Sequence, residues 1–151
     1  MCVVRRVREI FASEDSVFVS AHKGVSASNV GCGARNLAFL SETMGGESGH
    51  KPEDGEAIRS LHRLSPRCAL LVTDEISMVG AQKSAAASIR SGEAKRNVDI
   101  FGGTGAVLCG DFAQLRPIGQ KTLPAPMSSG GSRIAAKLSN YGRRIFDTSN
   151  E

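Results

Sequence analysis

Asp74 and Glu75 are adjacent carboxylates that follow Leu70-Leu71-Val72-Thr73, an apolar run that reads as a strand. In an open parallel sheet, ligands sit beyond the carboxyl ends of the strands. Two acids delivered there suit nucleotide hydrolysis, because Mg²⁺ keeps several of its waters and needs only one or two protein carboxylates. Asp74 is the candidate to hold Mg²⁺, directly or through water, and Glu75 the candidate to orient or deprotonate an attacking water. The same pair also suits the acidic start of a helix, where negative charge meets the positive end of the dipole.

A second run, Gly105-Ala106-Val107-Leu108-Cys109, leads into Gly110-Asp111-Phe112-Ala113-Gln114-Leu115-Arg116-Pro117. If the two strands are parallel neighbours, Asp74, Glu75, Asp111 and Gln114 converge on one rim. The Gln114 amide both donates and accepts, so it can bond a phosphate oxygen and a water and register whether a terminal phosphate is present. Asp111 and Gln114 also fit a capped turn after a strand. A third segment, Ser20 to Gly31, follows the first apolar run. Gly24 allows close backbone approach to a ligand, and Lys23 with nearby amides suits a phosphodiester. A plain strand-to-helix turn explains the segment as well. His22 has no adjacent carboxylate and reads as a turn residue rather than a catalyst.

The elements that must position these residues follow from three apolar runs: Val17-Phe18-Val19, Ala69 to Val72, and Ala106 to Cys109. None alternates with polar residues, which suits strands buried on both faces of a parallel sheet. The links are long enough for crossover helices, so the expected class is α/β. The first link has a glycine turn at Gly31 to Gly33, a short helix around Asn36 to Met44, a polar loop from Gly45 to Gly55, and a weak helical period at Ile58, Leu61 and Leu64. The second link predicts a helix over Ala81 to Arg90, ended by Gly92. Val3, Val7, Ile10 and Phe11 fall at helical spacing with arginines between them. They read as a core-facing helix, with a mitochondrial presequence as the alternative. After Pro117 the chain turns to loop chemistry, with Pro124, Pro126 and Ser128 to Ser132, before a last helix between Arg133 and Phe146. The expected organisation is one domain over 1–120 and a loop-rich tail with a short helix over 121–151.

The 151 residues suffice for one compact domain, and 40% of them are apolar, with no Trp, one Tyr and six Phe. The core must therefore rest on Val, Ile, Leu and Ala. A formal charge of +4 fits a polyanionic partner and equally an ordinary solvated face. Cys2, Cys32, Cys68 and Cys109 form no C-x-x-C pair, and Cys68 and Cys109 adjoin apolar runs as small core residues would. That usage points to a reducing, intracellular setting with neither zinc nor a disulfide framework. No apolar run approaches the roughly 18 residues of a membrane span.

Asp-Glu-Ile-Ser-Met-Val at 74–79, then Phe101-Gly102-Gly103 and Leu108-Cys109-Gly110-Asp111-Phe112-Ala113-Gln114-Leu115, resemble the Walker B and third helicase motifs of the Pif-one family of DNA helicases, in the superfamily-one branch that also holds RecD-type motors. The resemblance is strong from Ala69 to Ile118 and weaker up to about Leu40. Where that family has Ala-Pro-Thr-Gly-x-Ala-Ala, this chain has Ala21-His22-Lys23-Gly24-Val25-Ser26-Ala27; Ala34-Arg35-Asn36 stands for Thr-x-His, and Arg116 for a common proline. The resemblance implies a partial RecA-like P-loop NTPase domain, ATP and Mg²⁺ as cofactors, and DNA as partner. It implies ATP-driven 5′-to-3′ unwinding and roles in DNA repair, recombination and telomere upkeep, in the nucleus or mitochondrion of a eukaryote. Asp74 would serve Mg²⁺, Glu75 would activate water, and Asp111 and Gln114 would face the nucleotide, Gln114 coupling it to DNA. Lys23 and Gly24 would contact DNA.

No G-x-x-x-x-G-K-[ST] pattern occurs in the sequence. The family's phosphate loop is expected just before Met1, its strand beside the one ending at Gly110. The isolated chain is therefore expected to hydrolyse ATP negligibly and to expose an aggregation-prone edge. Two further readings stay open, with the oligomeric state. One is a non-catalytic module for single-stranded nucleic acid, which would lack the usual aromatic stacking platform. The other is a piece of a different P-loop ATPase, which Asp-Glu alone permits and the Gly-Asp-Phe-Ala-Gln-Leu run disfavours.

Overall fold

In the computed structural model, residues 6–7, 9–10, 16–22, 35–36, 67–119, 121–126 and 133–148 are described. The three apolar runs become strands β1 (Val17–Ala21), β3 (Leu70–Asp74) and β4 (Gly105–Leu108). A two-residue strand, β2 (Arg35–Asn36), joins them. All pairs are parallel, in the order β2-β1-β3-β4. Asn36, expected to open a helix, therefore lies in a strand. The glycine turn at 31–33, the rest of the helix expected over 36–44, the polar loop at 45–55 and the weak period at 58–64 lie outside the described residues.

Register explains how continuous apolar runs serve two faces. Val17 pairs with Leu70 and Val19 with Val72. Because side chains alternate across a strand, these four share one face, where Val7 also packs. Phe18 pairs with Leu71 and faces the other way, into the larger core with Ile76, Val79, Phe101, Leu123 and Ile145. On that second face Ser20 and Thr73, both buried, share a hydroxyl–hydroxyl hydrogen bond of 3.0 Å across β1 and β3. Each thereby satisfies a polar group that would otherwise be costly to bury.

β4 departs from the expectation of burial on both faces. Gly105 and Val107 are exposed, because β4 is the last strand of the described sheet and Val107 is 44% accessible.

Two helices cover the larger core. α1 (Ala81–Lys95) buries a small-residue surface of Ala81, Ser84, Ala85, Ala87 and Ser88, and α2 (Arg133–Thr148) packs on it with Ile145 fully buried. The crossing is close. A Cβ on Gly142 would stand 2.0 Å from the Ala81 carbonyl oxygen. Ser88 ties three elements, accepting from the Phe101 amide at 2.8 Å and meeting the Tyr141 hydroxyl at 3.2 Å. Gly92 does not end α1, which runs on to Lys95. Arg96, in the left-handed region at φ 54°, closes the helix with its amide on the Glu93 and Gly92 carbonyls.

The last helix, expected between Arg133 and Phe146, is the sixteen-residue α2. Leu123 and Ile145 sit in the same apolar cluster as Leu71. Among the described residues no helix is long and apolar enough to cross a membrane.

Candidate active site

β3 and β4 end side by side. Past the last ladder pair, Thr73 with Leu108, the Cys109 amide donates to the Thr73 carbonyl at 2.8 Å and the Ile76 amide donates to the Cys109 carbonyl at 2.9 Å. The chain after β4 thus presses against the chain after β3. Gly110 allows this approach, since a Cβ there would lie 2.9 Å from the Ile76 nitrogen and 3.0 Å from the Ser77 nitrogen. The Asp74–Glu75 step and the Gly110–Gln114 step consequently leave the same rim of the sheet.

Asp74 is half-buried, and one of its oxygens, Oδ1, accepts the Glu75 amide at 2.9 Å. Glu75 is held at φ 56°, ψ 39°, the left-handed region, before the 3-10 turn Ile76–Met78. A non-glycine residue there is strained by roughly 1–2 kcal/mol, a cost commonly found where geometry serves a site. Among the described residues no Lys or Arg pairs with either acid. That donor set fits Mg²⁺: one carboxylate with an oxygen left over, partial exposure for the metal's own waters, and no competing cation among the described residues. No cluster of three or more metal-ligating side chains occurs among the described residues, and a water-retaining Mg²⁺ does not require one.

Asp111 and Gln114 are both exposed. Asp111 shapes its own turn. Its Oδ1 accepts the Ala113 amide at 2.8 Å, its carbonyl accepts the Gln114 amide at 3.0 Å, and its Oδ2 lies 3.5 Å from Gln114 Nε2. The capped-turn reading therefore describes the backbone, and it leaves the Gln114 amide at the surface. Cys109, expected in the core, is exposed. Partial desolvation first, and the Asp74 charge second, raise its thiol pKa above the ordinary value.

Lys23 and Gly24 lie outside the described residues. His22, just before them, lines a cleft of about 230 Å³ with Lys83, Arg116, Met78 and Pro117. Lys83 lies in the first turn of α1, where the helix end itself attracts anions. The sequence reading did not find this basic cleft. Lys83 and Arg116 are 33 positions apart and belong to no shared pattern, so only the fold brings them together.

A family model described as PIF1-like helicase matches residues 3–130. The chain is 32% identical over 117 residues to the ATP-dependent DNA helicase PIF5 of Trypanosoma brucei brucei, a match covering 72% of this chain and 12% of that protein. It is similar to the Pif1 helicase of Candida albicans at TM-score 0.59 and 28% identity, over 76% of this chain and 26% of that one. The Pif1 of a Bacteroides species, in complex with ADP-AlF4, shares the fold at TM-score 0.58 and 24% identity, over 78% and 26% of the two chains. The chain thus spans about an eighth of the curated relative and about a quarter of the solved ones.

Proposed function

This chain belongs to the PIF1-like helicase family, and from that premise we propose that it supplies the water-activating and phosphate-sensing rim of an ATP-driven DNA motor. The observation that supports the reading is the backbone tie between the ends of β3 and β4, which brings the chain after Asp74 and Glu75 against Cys109 and Gly110, four residues before Gln114. Asp74 is the residue that would hold Mg²⁺. Such an ion, when bound, would supply neutralisation of charge on the nucleotide phosphates. Glu75 orients the attacking water and accepts its proton. Gln114 bonds the terminal phosphate, so loss of that phosphate changes what the exposed turn contacts.

The basic cleft of His22, Lys83 and Arg116 adjoins Lys23 and Gly24 in the chain and is the proposed seat for a phosphodiester of single-stranded DNA. Magnesium, 5′-to-3′ unwinding and roles in repair, recombination and telomere upkeep, in the nucleus or mitochondrion, rest on the family resemblance. The sequence holds no Gly-Lys-Ser/Thr phosphate loop, so the 151 residues alone hydrolyse ATP negligibly on this reading.

The test is a chimera in which residues 69–118 replace the matching segment of the Candida albicans helicase. DNA-stimulated ATP hydrolysis is expected, falling by about 10²–10⁴-fold in Glu75→Gln. A chimera whose hydrolysis is indifferent to Glu75→Gln and Asp74→Asn contradicts the assignment.

A further inference from the structure

The turn that carries Gln114 is held internally by short-range bonds. The three hydrogen bonds described within it run between Asp111 and residues two or three positions on, and residues 111–116 are all exposed. Bonds of that range give a turn its shape, but they do not fix where the turn points relative to the sheet. Phe112 supplies an outward contact. Its ring meets the Phe146 ring edge-on, with centroids 5.4 Å apart and planes at 88°, an attractive geometry for two aromatic quadrupoles.

Phe146 is a firm partner. It follows the fully buried Ile145 on α2 and packs against the main apolar cluster. The Arg143 guanidinium lies 5.9 Å from the centre of its ring. Arg143 is itself fixed, donating to Asp147 at 2.7 Å and to the carbonyls of Pro124 and Ala125.

We propose that Phe146 is a positioning residue for Gln114: through its edge-on contact with Phe112, α2 sets the direction of the phosphate-sensing turn. The role assigned to Gln114 rests on the motor reading above, whereas the positioning itself does not. A shift of α2 along α1 would then move the turn, coupling whatever packs on α2 to the nucleotide rim.

Backbone ¹⁵N relaxation of the 151-residue chain, without nucleotide, tests this. In the wild type, order parameters at Ala113 and Gln114 are expected near those of rigid backbone, about 0.85, and in Phe146→Leu below about 0.6. The amides of Leu71 to Asp74 should stay unchanged, which shows that the sheet is intact. Phe146→Tyr, which keeps the ring, should restore rigidity, and a merely space-filling role would not require that rescue. Should Phe146→Leu disturb the core, Phe112→Leu decides, because Phe112 is 37% accessible and its loss leaves α2 packed. Unchanged order parameters at Ala113 and Gln114 in a folded Phe112→Leu or Phe146→Leu chain overturn the proposal. Because no nucleotide is present, that failure is separable from a failure of the ATPase test.

Discussion

Asp74 and Cys109 leave the same end of adjacent parallel strands, close enough that the carboxylate's charge adds to partial desolvation in raising the Cys109 thiol pKa. Only the thiolate reacts with an alkylating agent. Cys109 should therefore alkylate slowly at neutral pH, with a rate that climbs as pH rises toward the raised pKa. Asp74→Asn removes the second cause and should speed the reaction at a given pH. Peptide-resolved mass spectrometry after iodoacetamide treatment reads this. Equal Cys109 rates in wild type and Asp74→Asn would place the two groups too far apart to interact.

Glu75 occupies left-handed backbone, so stability and chemistry pull apart at this position. Glycine relieves a strain of roughly 1–2 kcal/mol and adds unfolded-state entropy costing roughly 0.5–1 kcal/mol. Glu75→Gly should thus stabilise the chain by up to about 1.5 kcal/mol in urea unfolding while removing the carboxylate assigned to water activation. A loss of stability would mean that the side chain has a structural partner.

The crossing of α1 and α2 depends on Gly142. Alanine there would bring Cβ to 2.0 Å from a backbone oxygen of Ala81, and backbone cannot step aside as a flexible side chain can. Gly142→Ala should cost at least about 3 kcal/mol. Gly119→Ala is the control. Its Cβ meets open space at φ 70°, so the cost should be only the backbone strain, roughly 1–2 kcal/mol. Similar melting shifts for both would show that the helices do not cross as described.

The cleft formed by His22, Lys83 and Arg116 predicts weak, salt-dependent binding of single-stranded DNA. Each phosphate contact contributes about −0.7 to the slope of log K against log salt for single strands. Lys83→Ala and Arg116→Ala should each flatten the slope by about that amount, measured by fluorescence anisotropy with oligothymidine. Unchanged slopes would move the DNA seat elsewhere.

Much of this arrangement was legible in the letters, for a physical reason. Val17-Phe18-Val19 and Leu70-Leu71-Val72 are apolar without alternation because both faces of β1 and β3 are covered. A strand so marked delivers whatever follows it to the rim, and for β3 this placed Asp74 and Glu75; β4, which leads to Gln114, is exposed at Gly105 and Val107. The rest depended on relations between distant residues. β2 is two polar residues whose pairing with Ser20 and Ala21 leaves no mark in composition. Gly92 looked like a helix end, yet it sits inside α1, where a Cβ would meet the Asn97 carbonyl oxygen at 2.6 Å. Phe112 and Phe146 meet across 34 positions, and no local pattern announces such a pair.

The most direct test of a shared metal site uses paramagnetic Mn²⁺ in place of Mg²⁺, with ADP, titrated into the ¹⁵N-labelled chain. Relaxation enhancement falls steeply with distance from the ion, so the amides of Asp74, Glu75 and Cys109 to Gln114 should broaden first. Those of Val98 and Ile134 should stay sharp, and Asp74→Asn should abolish the effect. Broadening that spares either the Asp74–Glu75 step or the Gly110–Gln114 turn would show that the two strand ends do not serve one nucleotide-metal site.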